Sequence, residues 1–378
     1  MVPFLDLTRQ YHKIRKEILS ATQRVYERGR FILGEEVSAF EREFSNYCGV
    51  QYGVGVGSGT DAIFLALKAA GIGGGDEVVT VANSFVSAAL AISFTGAKPL
   101  FVDIDPRTYT MDPNCLELLL KREKTKTGGW KIKAVLPVHL YGHPADMDSI
   151  MEIANRYDLV VVEDACQAHG AKYGGKKVGS FGAMGCFSFY PTKNLGGYGD
   201  GGMVVTNHRR YEGKLRLLRS YGEKEKYQHI LKGHNSRLDE VQAATLRVKL
   251  RYLDQWNEAR RKKARIYTEK LSPLGVVCPS EKKGVRHVYH LYAIKTRKRE
   301  SLQAFLKKNK IETLIHYPIP IPQQKAYREL GYRRRDFPMT SQWSRKILSL
   351  PFFPEMKESE MEEVAKGIGC FMKNECGE

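Results

Sequence analysis

Between residues 51 and 162 short apolar runs alternate with stretches of helical periodicity, and that alternation limits the chain to few architectures. Residues 51–57 read as a strand entering a glycine turn, and residues 61–70 as a helix stopped by Gly71. Strands at 78–81, 99–102, 134–138 and 159–162 interleave with helices at 84–94 and 147–157. Strands joined through helices run parallel, and a parallel sheet needs cover on both faces. An α/β fold with a mostly parallel sheet is therefore expected, preceded by helices at 11–31 and 35–47.

Downstream the pattern changes. Residues 236–271 read as one long helix, opened by a capping box of Ser236 and Asp239 and striped by Leu238, Val241, Leu246, Leu250, Leu253 and Trp256. Strands at 288–294 and 313–315, a helix near 301–308 and a last helix at 359–371 follow. With 378 residues the chain has room for two units. A large domain over 1–250 and a smaller C-terminal α+β domain over 251–378 are expected.

Sixty Lys and Arg against 42 Asp and Glu give a formal charge of +18, which favours anionic partners without choosing among them. Two basic stretches, 121–133 and Arg333-Arg334-Arg335, lack the interleaved aromatics of a nucleic-acid surface and read as solvated loops. The seven cysteines (Cys48, Cys115, Cys166, Cys186, Cys278, Cys370, Cys376) are scattered and never spaced as CxxC. That argues against a disulfide framework or a metal site and fits reduced thiols. The longest apolar span, 85–97, is shorter than the roughly 20 residues a membrane crossing needs. The first residues show no signal-peptide pattern. A soluble, cytoplasmic protein that binds neither membrane nor nucleic acid is expected.

Three motifs carry chemistry. In Phe187-Ser-Phe-Tyr-Pro-Thr-Lys193-Asn-Leu-Gly-Gly-Tyr-Gly-Asp-Gly-Gly202 the lysine sits between a proline and a glycine run, which suits a loop whose amine projects into a cleft. A buried lysine loses its charge readily and forms Schiff bases. Leu159-Val-Val-Val-Glu-Asp164-Ala-Cys-Gln167 ends an apolar strand in an acid, at the carboxyl end where parallel sheets bind ligands. A carboxylate there can pair with a pyridinium nitrogen, and Gln167 can reach a ring hydroxyl. Gly57-Ser-Gly-Thr-Asp61 enters a helix whose first amides suit a phosphate. Each motif has a plainer reading. A lone loop lysine is usually a surface residue, and Asp164 fits a helix N-cap. Ser58 and Asp61 fit a capping box, and Gly57 to Ala62 also matches the dinucleotide pattern of an NAD-dependent dehydrogenase.

Together the three motifs resemble the fold-type I, aspartate aminotransferase-like enzymes, and more narrowly the DegT/DnrJ/EryC1/StrS family of sugar aminotransferases. The resemblance runs from Pro3-Phe-Leu-Asp-Leu7 through Ser58-Gly-Thr-Asp-Ala62, Glu163-Asp-Ala-Cys-Gln167 and Tyr190-Pro-Thr-Lys-Asn194 to Asn235-Ser-Arg-Leu-Asp239 and His316-Tyr-Pro318. It implies pyridoxal 5'-phosphate bound covalently by Lys193, which then shuttles the proton. It places Asp164 at the pyridine nitrogen, Gln167 at the ring oxygen and Phe85 on the ring face. Gly59, Thr60, the amide of Asp61 and Ser188 hold the phosphate, and Asn235 reaches it from the partner of a homodimer with shared sites. Arg237 and Tyr317 are expected to touch the sugar or diphosphate. The implied reaction moves an amino group from L-glutamate to a nucleotide-linked keto-sugar.

Lysine at 193, which dehydratases of the family replace, favours amino transfer. Cys166 stands where the family often has a small alanine, and 121–133 resembles an insertion. Pro137-Val-His-Leu-Tyr-Gly142 and His287-Val-Tyr-His-Leu-Tyr292 look most like enzymes acting on dTDP-linked 3-keto-6-deoxy sugars, with 4-keto or UDP-linked sugars as alternatives. A dehydrogenase and a non-catalytic regulator are the competing classes, and neither uses Lys193, Asp164 and Gln167 at once.

Overall fold

Seven strands make the central sheet of the computed structural model, which describes residues 1–376 except 126 and 128. They are β1 (Tyr52–Val56), β2 (Glu77–Val81), β3 (Lys98–Val102), β4 (Ile132–Leu136), β5 (Val160–Asp164), β6 (Met184–Ser188) and β7 (Gly202–Thr206). Their spatial order is β1-β7-β6-β5-β4-β2-β3. Neighbours from β6 across to β3 pair in parallel, whereas β7 runs antiparallel to both β1 and β6. The expected α/β class with a mostly parallel sheet is what the chain adopts. Residues such as Val79, Val135 and Val161 face one buried cluster and Val54, Val78 and Val162 another, as a doubly covered sheet requires.

A further core gathers Ala264, Tyr267, Tyr292, Leu348, Phe353 and Val364 around a two-stranded sheet of β8 (Tyr292–Lys295) and β9 (Ile347–Leu350). Val2 packs into the same core, tied in by its amide to Lys310 O at 2.9 Å and by the Glu312 amide to its own carbonyl at 3.0 Å. The N-terminus thus reaches across to the C-terminal elements. Leu291, Ala293, Trp343 and Ile347 meanwhile join the core beneath the sheet.

Several expected elements differ. The long helix at 236–271 is two helices, Glu240–Leu250 and Leu253–Leu271. At the break Arg251 and Tyr252 both turn to Glu17, and Tyr252 stacks on Trp256 at 5.7 Å. Ser236 caps nothing: its hydroxyl donates to Asp61 Oδ2 at 2.9 Å and accepts from the Gly57 amide at 3.0 Å. Asp239 holds the N-cap position without a side-chain hydrogen bond. The strand expected at 288–294 narrows to β8, because Val288 and His290 spend their amides on Gly142 O (3.1 Å) and Tyr141 O (2.8 Å). At 313–315 only the bridge Leu314–Ser349 forms. The ends of the basic stretch at 121–133 are not loop but the helix Pro113–Lys124 and the start of β4, with positions 126 and 128 outside the described residues. Strands β6 and β7, for which the sequence carried no strand reading, frame residues 189–201.

Candidate active site

At the carboxyl ends of β5 and β6, Asp164 and Ser188 line a cavity of about 510 Å³, and Ser58, just beyond the end of β1, lines it too. Strand β5 ends in two acids whose side chains leave opposite faces. Glu163 points into the protein, where its carboxylate accepts the amides of Gly179 (2.7 Å), Phe181 (2.7 Å) and Gly182 (2.8 Å). It also accepts His139 Nε2 at 3.0 Å. His139 Nδ1 accepts the Ala145 amide at 2.9 Å, so Nε2 carries the proton. Asp164 faces the cavity, its Oδ1 taking the Cys166 amide at 3.1 Å. Burial pushes its carboxyl above the usual aspartate range, against the pull of the Cys166 amide and Lys193.

Lys193 reaches the same cavity from the loop between β6 and β7. That loop is fastened at many points. Phe189 donates its amide to Gly201 O at 2.8 Å, and Gly197 donates to Phe189 O at 2.7 Å. Lys249 Nζ donates to Gly196 O at 2.6 Å, and the Tyr198 amide to Gln242 Oε1 at 2.8 Å. The next residue, Asn194, is buried and anchors the lysine's backbone. Lys193 Nζ itself takes no hydrogen bond or ion pair from the described residues, and burial holds its amine below the usual lysine value. An amine fixed at its base, with its affinity for a proton lowered by burial and its tip unpartnered among the described residues, is suited to form a covalent bond.

At the far end β1 runs through Ser58 into the helix Gly59–Ala69. Ser58 Oγ caps this helix by accepting the Asp61 amide at 3.1 Å. Among the described residues the amides of Gly59 and Thr60 find no backbone acceptor, which leaves two donors at the positive end of a helix. Ser188 closes on them: a Cβ added to Gly59 would stand 2.5 Å from Ser188 Cβ and 3.0 Å from its Oγ. Asp61 lies behind, its carboxylate bound by Ser236.

Gln167 is oriented from both sides, its Oε1 accepting the Tyr141 amide at 2.7 Å and its Nε2 donating to the Tyr317 hydroxyl at 3.1 Å. Phe85 is 52% exposed, so core packing is not what holds it; its ring meets that of Tyr317 at 5.8 Å across the cavity. The structure therefore brings Gly59, Thr60, Phe85, Asp164, Gln167, Ser188, Lys193 and Tyr317 to one cavity, with Asp61 just behind it. Asn235 and Arg237 do not line it. Asn235 is exposed, and Arg237 lies 5.9 Å over the Tyr221 ring. His290 and His316 also line the wall, although their motifs give no local hint of a role. Burial lowers both imidazoles, His316 to about 4.

These residues fit pyridoxal phosphate. Amides of Gly59 and Thr60 without a backbone acceptor among the described residues suit the phosphate, a cavity-facing carboxylate suits the ring nitrogen, and the amine of Lys193 opens onto the same cavity and suits an aldehyde. Comparison with known proteins agrees. The sequence model of the DegT/DnrJ/EryC1/StrS aminotransferase family matches residues 12–369. A pleiotropic regulatory protein of Geobacillus stearothermophilus is 47% identical, over 99% of each chain. A dTDP-3-amino-3,6-dideoxy-alpha-D-galactopyranose transaminase of Aneurinibacillus thermoaerophilus is 45% identical, over 97% of this chain and 99% of that one. A UDP-N-acetyl-3-dehydro-alpha-D-glucosamine 3-aminotransferase of Acidithiobacillus ferrooxidans is 42% identical, over 97% of each. Among solved structures, DesV of S. venezuelae in complex with a ketimine intermediate superposes with a TM-score of 0.94 at 42% identity, over 98% of each chain.

Proposed function

Because this chain belongs to the DegT/DnrJ/EryC1/StrS aminotransferase family and is a pyridoxal-phosphate-dependent aminotransferase of nucleotide-sugars, we propose that it moves the amino group of L-glutamate to C3 of a dTDP-linked 3-keto-6-deoxyhexose. The observation that carries the chemistry is the unpartnered amine of Lys193 in the same cavity as the carboxylate of Asp164. The sugar is inferred from the 45% identical dTDP-3-amino-sugar transaminase. The 42% identical UDP-sugar enzyme favours a second reading, a UDP-linked 3-keto sugar.

When bound, pyridoxal phosphate supplies an aldehyde for the amine and a ring that withdraws electrons from the reacting carbon. The chain's own residues set that chemistry up. The Gly59 and Thr60 amides and the Ser188 hydroxyl would hold the phosphate, with Asp61 keeping the helix start in place through Ser236. Asp164 would keep the ring nitrogen protonated, Gln167 Nε2 would donate to the ring oxygen, and Phe85 would cover one ring face. Lys193 would hold the cofactor and, once released, would move a proton from the donor's carbon to the former aldehyde carbon of the cofactor, and in the second half from that carbon to C3 of the sugar. Tyr317 and Arg237 are proposed sugar or diphosphate contacts, and Asn235 a phosphate contact from a second copy of the chain. Their side chains sit, respectively, in the cavity, over Tyr221, and at the surface.

The test is a panel of dTDP- and UDP-linked keto-sugars incubated with the holoenzyme and L-glutamate, with mass-spectrometric detection of the amino product. Amination at C3 of the dTDP 6-deoxy sugar is expected. Exclusive amination of a UDP sugar, or of C4, would replace the substrate named here. No glutamate-driven change in visible absorbance would overturn the donor.

A further inference from the structure

Two buried side chains, Asn257 and Asn194, fix the orientation of the His290 imidazole near Lys193. Asn257 Nδ2 donates to His169 O at 2.8 Å, which leaves Asn257 Oδ1 as an acceptor. Asn194 Nδ2 donates to that oxygen at 2.8 Å and to Val288 O at 3.0 Å, so Asn194 Oδ1 accepts in turn. Its partner is His290 Nδ1 at 3.2 Å. A ring nitrogen facing an obligate acceptor carries the proton, so the neutral ring must bear its lone pair on Nε2. Burial first, then the positive charges of Lys193 and Arg260, hold His290 well below the usual histidine range and oppose a second proton. His290 lines the cavity, and its Nε2 takes no partner from the described residues.

An amine released inside a closed site loses free energy unless its N–H finds an acceptor. The alternatives around Lys193 are poorer. Asp164 is committed to the ring nitrogen. His316 Nδ1 faces the Ser349 hydroxyl at 2.9 Å, which donates or accepts and so fixes no tautomer. His169 is shut in by Phe44, Phe187 and Phe189. His290, by contrast, hangs from the residue next to Lys193, so the two keep a constant relation.

We propose that His290 is a positioning residue for the catalytic amine, its Nε2 accepting an N–H of Lys193 Nζ when the aminated cofactor fills the cavity and the lysine has been released from it, so that the nitrogen lone pair is aimed back at the reacting carbon. The inference rests on the assignment of Lys193 above. It requires that His290 act in both halves of the reaction, because the lysine is released in both.

The experiment combines single-turnover kinetics with nitrogen NMR. In His290→Phe both half-reactions, glutamate deamination and sugar amination, slow about tenfold, the worth of one lost hydrogen bond. In His290→Gln, whose amide oxygen can accept, both return to within about threefold of wild type. Histidine-labelled enzyme carrying the aminated cofactor shows His290 Nε2 unprotonated and moved upfield, and Lys193→Ala abolishes that movement. Slowing of the sugar half alone, equal slowing in the Gln and Phe variants, or an Nε2 signal indifferent to Lys193→Ala each overturns the inference. Should His290→Phe not fold, His290→Leu serves in its place. Failure of the underlying reading looks different: wild-type enzyme then shows no glutamate-driven half-reaction at all.

Discussion

Asn194 Nδ2 lies 2.8 Å from Asn257 Oδ1, and this bond ties the residue beside Lys193 to the helix Leu253–Leu271. Both asparagines are buried and all their polar groups are used, so neither tolerates an apolar replacement. Asn257→Leu strands the His169 carbonyl and one Asn194 N–H. It is expected to cost about 2–4 kcal/mol in urea unfolding and to slow turnover, since Lys193 loses its fixed base. Unchanged stability with unchanged rate would separate this bond from the site.

Lys193 itself behaves oppositely. Burial holds its folded pKa below the ordinary 10.5, so between those two values the unfolded chain binds more protons and stability rises with pH. Lys193→Met removes that rise. Cofactor-free Lys193→Met is expected to be at least as stable as wild type at pH 7 and to show a flatter stability profile above neutrality, and the same variant incubated with pyridoxal phosphate is expected to yield no borohydride-trapped cofactor. Urea melts across pH and mass spectrometry of the reduced protein check all three. A trapped adduct on this variant would remove the lysine from its role.

Asp164 has its folded pKa raised by burial, so the native state holds the extra proton just above the ordinary 3.8 and stability falls as pH climbs through that window. Asp164→Asn abolishes the fall while keeping shape and the Cys166 amide contact. Turnover is expected to drop about a hundredfold or more, because the ring nitrogen loses its negative partner. Cofactor content measured beside the rate distinguishes this loss from failure to bind.

Much of this site could be read in the sequence because its signals are local. Pro191 and the glycine run mark the loop of Lys193, a terminated apolar run marks Asp164, and Ser58 before a periodic stretch marks the anion end. Strand β6 escaped because all five of its residues are buried, which removes the alternation that betrays a strand. The split helix escaped because Leu253 and Trp256 keep phase with the stripe across the break. His290 escaped for a different reason. What orients it is Asn194, 96 residues away, and no spacing rule connects them.

Glu163 shows how the back of the strand supports the front. Its buried carboxylate gathers three backbone amides and His139 Nε2. Glu163→Gln keeps the size but turns two N–H donors toward donors, so some of these groups lose their acceptor. A cost of about 3 kcal/mol is expected in urea unfolding, with lower cofactor affinity as Asp164 loosens. A variant as stable as wild type would show that the amide network reforms around the glutamine.

Asn235 lies outside the cavity and at the surface, so its proposed phosphate contact requires a second copy of the chain. If sites are shared, Asn235→Ala weakens cofactor retention in the partner's site, whereas Lys193→Ala disables its own. Each homodimer is then defective. A heterodimer of the two variants, however, places both losses in one site and leaves the other with an intact Lys193 and an intact Asn235. Mixing the inactive Lys193→Ala protein with Asn235→Ala under exchange conditions, at limiting pyridoxal phosphate, is therefore expected to raise activity toward half the wild-type value per heterodimer. Activity that merely averages the two parents would mean that each subunit builds its site alone, with Asn235 a surface residue.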